Sequence, residues 1–228
     1  MSTNNSGLLS GILWRRILVY VLGLFILALG VAFAVKSDLG ISPINSNPYI
    51  LSRITGLEQG NLTTLFFCLL ILLQILLLRR RFQPIQLLQV VCAMLFGKFV
   101  TLCNRLLVWL EPGSYLGQLL LTVISILLIS VSMFLYLSAK LIPQPAEGLC
   151  LAIQQVFGFR YSNIKVCMDC ILVAVAAAIT LICTGSLSGL REGTVLTMLT
   201  VGKLIGFCMD HWGPTMQRFC FGPGSEQP

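Results

Sequence analysis

Six apolar runs, at 17–35, 62–78, 84–110, 116–139, 164–184 and 194–212, dominate this chain. Each is long enough to cross the ~30 Å hydrocarbon core of a bilayer as a helix, for which roughly 17 to 25 apolar residues suffice. Composition agrees: 57% of the residues are hydrophobic and 10% charged, where an ordinary soluble domain carries about 25% charged residues. A water-soluble domain and a disordered chain are both excluded. The run at 17–35 lacks a small-residue cleavage site and reads as a first span, not a signal peptide. The chain reads as an all-α membrane protein. Its charge of +7, from 15 Lys+Arg against 8 Asp+Glu, sits in short clusters at the ends of the runs. There it sets orientation and meets lipid headgroups, so no nucleic-acid partner is expected.

Two further stretches, 39–56 and 141–158, are apolar but broken. They read LGISPINSNPYILSRITG and LIPQPAEGLCLAIQQVFG. Proline, glycine and polar residues crowd the first half of each, and a short apolar stretch follows. Non-helical backbone at membrane depth is tolerated only where protein buries it or it lines a cavity. A re-entrant half-helix starting near Pro43, and another near Pro145, is therefore expected. Charge tests this. With a cytoplasmic N-terminus and two re-entrant segments, Arg15, Arg16, Arg79, Arg80, Arg81, Lys140, Arg160, Lys165 and Arg218 fall inside, and Lys36, Arg53 and Arg191 outside. Full crossings would put the Arg79–Arg81 triplet outside, against the positive-inside rule. About six spans with both termini cytoplasmic are expected.

A shift of 102 positions lays one broken segment on the other: Leu39 on Leu141, Pro43 on Pro145, Gly56 on Gly158 and Asn61 on Asn163. At a shift of 105, Gly97-Lys98 falls on Gly202-Lys203 and Cys103 on Cys208. The chain divides into a polar leader (1–14), a first membrane repeat (15–114), a second (115–220) and a flexible tail (221–228), with one membrane domain overall. Three crossings per half is odd, so the second half must be inverted. Inverted repeats with discontinuous helices are a recurring plan of secondary transporters.

The stretch VAFAVKSDLGISPINSNPYILSRITGLEQGNLT resembles the corresponding part of the YczE/YyaS/YitT-type family of bacterial integral membrane proteins, and REGTVLTMLTVGKLIGF is similar to that family's last span. The resemblance covers most of residues 15–212. It implies a bacterial inner-membrane protein of about six spans and carries over no catalytic residue.

Ionisable groups within a span cost at least a few kcal/mol at the bilayer centre, so each is a functional candidate. Lys98 and Lys203 lie deep in their runs at equivalent positions, each after a glycine that admits a neighbouring backbone. Facing inward with two half-helix N-termini, they would line a donor-rich cavity for an anionic solute or the carboxylate of a zwitterion. The structural alternative is a snorkelling or acid-paired lysine. Asp169, one turn after Lys165, reads as its ion-pair partner or as a proton carrier. Glu147 matches Asn45 in the repeat; these two and Ser46 read as substrate contacts or as ordinary loop solvation. Gly40, Pro43, Pro145 and Gly148 specify the backbone of the gating half-helices.

Nine cysteines lie mostly inside apolar segments and read as buried thiols. Cys167 and Cys170 have C-x-x-C spacing, but no second pair accompanies them and the one histidine, His211, is in another run, so no metal is expected. Nucleotide-binding and hydrolase motifs are absent, hence no cofactor and no enzyme is expected. The leading expectation is a small-solute secondary transporter or permease, with an anionic or zwitterionic solute favoured. The alternative is a non-transporting accessory or assembly protein that binds a partner protein. Expected partners are the lipid bilayer and a small solute, with a homodimer or a membrane protein partner left open.

Overall fold

The computed structural model describes residues 3–185 and 189–222, and every regular element among them is helical. The helices are α1 (Thr3–Ser37), α2 (Pro43–Thr55), α3 (Gln59–Leu78), α4 (Leu88–Leu106), α5 (Tyr115–Ser138), α6 (Pro145–Phe157), α7 (Tyr161–Thr184) and α8 (Glu192–Phe221). Six of them, all but α2 and α6, are long and apolar enough to cross a membrane. Their exposed stripes are apolar: Leu65, Leu69, Leu72 and Leu76 line one face of α3. That is the surface of a bundle whose solvent is lipid.

α2 and α6 have 13 residues each and matching ends. Each starts on a proline, whose missing N–H is one that the first turn leaves unbonded in any case. Each stops at a glycine in the left-handed region, Gly56 at φ 73° and Gly158 at φ 72°. The Gly56 N–H donates to the Ser52 carbonyl (2.9 Å) and the Gly158 N–H to the Gln154 carbonyl (2.8 Å), closing the last turn. The first seven or eight residues of each helix hold its buried side chains, and the C-terminal turns are exposed. In both broken segments, therefore, the N-terminus is the inner end.

Contacts at the two ends of the bundle fix the direction of every span. At one end the Asp38 carboxylate meets Arg53 (3.2 Å), Glu58 pairs with Arg105, Lys36 donates to the Val108 carbonyl (3.1 Å), and Tyr115 donates to Glu192 (3.4 Å). At the other end Arg16 donates to the carbonyls of Ala139 (2.9 Å) and Lys140 (2.6 Å), and both cations lie over the Phe221 ring. α2 leaves the first end at Asp38 and returns to it at Arg53. α6 leaves the second end at Lys140 and returns to it before α7. Both segments are thus re-entrant, dipping in from opposite ends. The spans of the first half (α1, α3, α4) alternate in direction, and those of the second half (α5, α7, α8) alternate in the opposite phase.

α1 and α5 form the central pair. A Cβ at Gly23 would sit 3.0 Å from the Tyr136 nitrogen, and the Ser125 hydroxyl donates to the Gly30 carbonyl (2.7 Å). Small residues let two backbones approach where the lipid gives no hydrophobic drive. α2 packs on α7 and α3, and α6 on α3 and α7, so the two half-helices share both neighbours.

Two boundaries differ from expectation. Helix α1 already begins at Thr3, inside the stretch expected as a leader; without a proline to stop it, a nucleated span lengthens at one hydrogen bond per residue. Helix α8 runs through Pro214 to Phe221, past the expected end at 212. The bond lost at Pro214 is offset by burial of Cys220 and by packing of Phe221 on Arg16 and Lys140. Of the expected tail, residues 223–228 lie outside the described residues.

Candidate functional site in the interior between the half-helices

A polar cluster surrounds the inner end of α6. The Glu147 side chain stands in the first turn of α6, the residue only 8% exposed, and accepts a hydrogen bond from the Tyr136 hydroxyl of α5. Gln74 of α3 donates from its amide to the Pro145 carbonyl (2.9 Å) and to Gln89 Oε1 of α4 (3.1 Å). It thereby satisfies a carbonyl of a buried residue in the broken segment. Gly148 makes this crossing possible, since a Cβ there would lie 2.7 Å from Gln74 Oε1 and 2.8 Å from Gln89 Nε2. Tyr20 of α1 stands edge-on to Tyr136, ring centroids 6.2 Å apart.

This cluster is not closed on itself. Glu147 Oε2, Gln74 Oε1 and Gln144 Nε2 are buried without a hydrogen-bond partner, and the Tyr20 hydroxyl meets only the Cys92 thiol. Among the described residues Glu147 is the one charged side chain in the buried class. A buried polar atom left unpaired costs about 1–3 kcal/mol, which makes the inner end of α6 the candidate binding site.

The inner end of α2 is more nearly satisfied by its own turn. Asn45 donates to the Ser42 hydroxyl (3.0 Å), and the Ser46 hydroxyl donates to the Pro43 carbonyl (2.7 Å). Asn47 reaches across to the Leu172 carbonyl of α7 (3.0 Å). Only the side-chain carbonyls of Asn45 and Asn47 remain open. Gly40, at φ 110°, is held against the start of α8: a Cβ would collide with the Thr194 hydroxyl, and the Gly193 N–H donates to the Leu39 carbonyl (2.8 Å).

Lys98 and Lys203 are not brought together. Lys98 lies on the exposed stripe of α4 with Val91, Met94 and Leu102, and Lys203 on that of α8 with Leu199 and Phe207. A single copy of the chain therefore forms no cavity around the two ammonium groups. What the sequence placed beside Lys98 does serve the interior of the fold. Gly97 crosses Gly60 so closely that a Cβ on either would collide with the other's carbonyl. Lys165 and Asp169 form an ion pair across one turn of α7 (2.6 Å), within electrostatic reach of the α6 cluster. Tyr20, Gln74, Gln89, Tyr136 and Gln144 were not singled out by sequence. Their signal was a lone amide or phenol in an apolar run, as Gln74 in LLILLQILLL.

Fold and site define a multi-pass α-helical membrane protein with paired half-helices around a polar interior. The chain belongs to DUF6198, a family of unknown function, which matches residues 14–210. It is similar to the uncharacterized membrane protein YczE of Bacillus subtilis (strain 168), at 27% identity over 191 residues, 83% of each chain. It is also similar to the uncharacterized protein YyaS of the same organism, at 28% identity over 148 residues, 62% of this chain and 69% of that one. No solved structure matches it.

Proposed function

We propose that the protein is a small-solute secondary transporter or permease of the bacterial cytoplasmic membrane, built as two inverted repeats. The observation that carries this reading is the pair of half-helices that dip in from opposite ends between α3 and α7, with their inner turns polar and incompletely bonded. Discontinuous helices placed this way are how repeat-built transporters offer backbone and side-chain ligands to a solute reachable from either side. Solute exchange would proceed by rocking of one half against the other. The preference for an anion rested on Lys98 and Lys203 together with the two half-helix N-termini, and the outward placement of the lysines leaves only the N-termini behind it.

Orientation follows from charge. The end that holds Arg15, Arg16, Arg79, Arg80, Arg81, Lys140, Arg160 and Arg218 faces the cytoplasm by the positive-inside rule, which puts both termini there. The test is flux: purified protein in proteoliposomes, loaded with a mixture of unlabelled small solutes and assayed for uptake of labelled ones by counterflow. Saturable uptake absent from empty liposomes supports transport. A second reading, an accessory protein that binds a partner, is favoured by the exposed Arg79–Arg81 triplet. It predicts no flux, and loss of cellular function when the triplet is replaced by glutamine.

A further inference from the structure

We infer that the cluster at the inner end of α6 is a binding site for a small primary ammonium group, with Glu147 as its counter-ion. The inference rests on the transporter reading only for the route of access, not for the site itself.

Charge comes first. Lys165 is committed to Asp169, so neither leaves a net charge near α6. Glu147 is held by the Tyr136 phenol and the backbone of Gln144, and its second oxygen is open. The N-terminus of α6 offsets this in part, being worth roughly half an elementary charge. What remains is a carboxyl group with one open oxygen, whose charged form an arriving cation favours.

Donor and acceptor chemistry narrows the class. The open atoms around Glu147 include two acceptors, Glu147 Oε2 and Gln74 Oε1 against the adjacent Gly148, and the Tyr20 oxygen can still accept while its hydroxyl meets the Cys92 thiol. An ammonium group brings three donors and no acceptor, which matches that set. The two tyrosine rings, perpendicular to one another, add aromatic faces of the kind that attract ammonium cations. A bare divalent cation asks for six or more oxygens, usually from several carboxylates, and a single carboxylate stands here. Gln144 Nε2, the unpartnered donor at the start of α6, is placed for a polar group elsewhere on the same solute.

Binding to the purified full-length protein tests this without requiring transport. Methylammonium and n-propylammonium chlorides are titrated by thermal shift and calorimetry, with sodium chloride and sodium acetate at matched ionic strength. Saturable stabilisation by at least one amine, and by neither sodium salt, is expected. Glu147→Gln should weaken that binding roughly tenfold or more, as expected for loss of a charge-assisted hydrogen bond. Tyr20→Phe costs the protein only the weak contact with the Cys92 thiol and should fold normally; its binding should weaken about threefold to tenfold. No response to either amine, an equal response to sodium chloride, stabilisation by acetate alone, or unchanged amine affinity in Tyr20→Phe would each overturn the site. Amine binding without flux would leave this site standing and remove the transporter reading. Flux of amine-free solutes without amine binding would do the reverse.

Discussion

Glycines show what a single residue decides in this bundle. At Gly97 the neighbouring helix leaves no room for a methyl group, whereas at Gly202, its counterpart in the expected repeat, a Cβ would meet nothing within 4 Å. The two alanine substitutions should therefore differ in sign. Gly97→Ala should lose about 1–3 kcal/mol through overpacking. Gly202→Ala should gain up to about 1 kcal/mol, because a helical glycine gives up more backbone entropy than alanine. Denaturation midpoints of the purified variants would show it. A second test concerns the Tyr136–Glu147 contact. In a double-mutant cycle of Tyr136→Phe and Glu147→Gln, the coupling energy should be about 1 kcal/mol or more, as for neighbours in one buried network. Additive effects would mean that the two side chains act independently. The sequence shows the depth of Lys98 but not its azimuth. Val91, Met94 and Leu102 lie on the same stripe as the lysine, and an apolar stripe is the lipid-facing side in a membrane and the core-facing side in water. Which it was depended on the glycine crossing next door, a contact with a helix that sequence alone does not place.

The half-helices were the most legible elements, for a local reason. Pro43 and Pro145 set the starts, and Gly56 and Gly158 supply the left-handed stops, so four backbone-specific residues outline both helices before any tertiary contact is considered. What they pack against was not legible, because the shared neighbours present ordinary apolar faces, leucine-rich in α3 and rich in alanine, isoleucine and valine in α7. The amide that ties α6 to α3, Gln74, is a single letter in such a run. The stops carry their own prediction. A Cβ at Gly56 or Gly158 meets nothing, so Gly56→Ala and Gly158→Ala should each lose stability from backbone conformation alone, about 1–2 kcal/mol. Asparagine at the same positions should lose less, since it visits the left-handed region more readily. Equal stability of the alanine and glycine forms would show that these turns are not held left-handed.

At the scale of the whole molecule, charge and chain direction tell one story. The end of the bundle that gathers Arg16, Lys140 and Arg218 has few acids, while the opposite end pairs its cations, Arg53 with Asp38, Arg105 with Glu58 and Arg191 with Glu192. In the orientation proposed above, the basic end is the cytoplasmic one, as the positive-inside rule expects of the end richer in Lys and Arg. The same arrangement makes the two half-helices open toward opposite faces, and on that the account of a solute site reachable from both sides depends. Leu57 and Phe159, both exposed just after the glycine stops, are the positions that report it. In a cysteine-free background that keeps the protein folded, Leu57→Cys and Phe159→Cys would be tested with a membrane-impermeant thiol reagent, in intact cells and in inverted vesicles. Labelling of Leu57→Cys from outside and of Phe159→Cys from the cytoplasmic side is the predicted result. Labelling of both from the same face would mean that α2 and α6 cross the membrane completely, and would contradict the account.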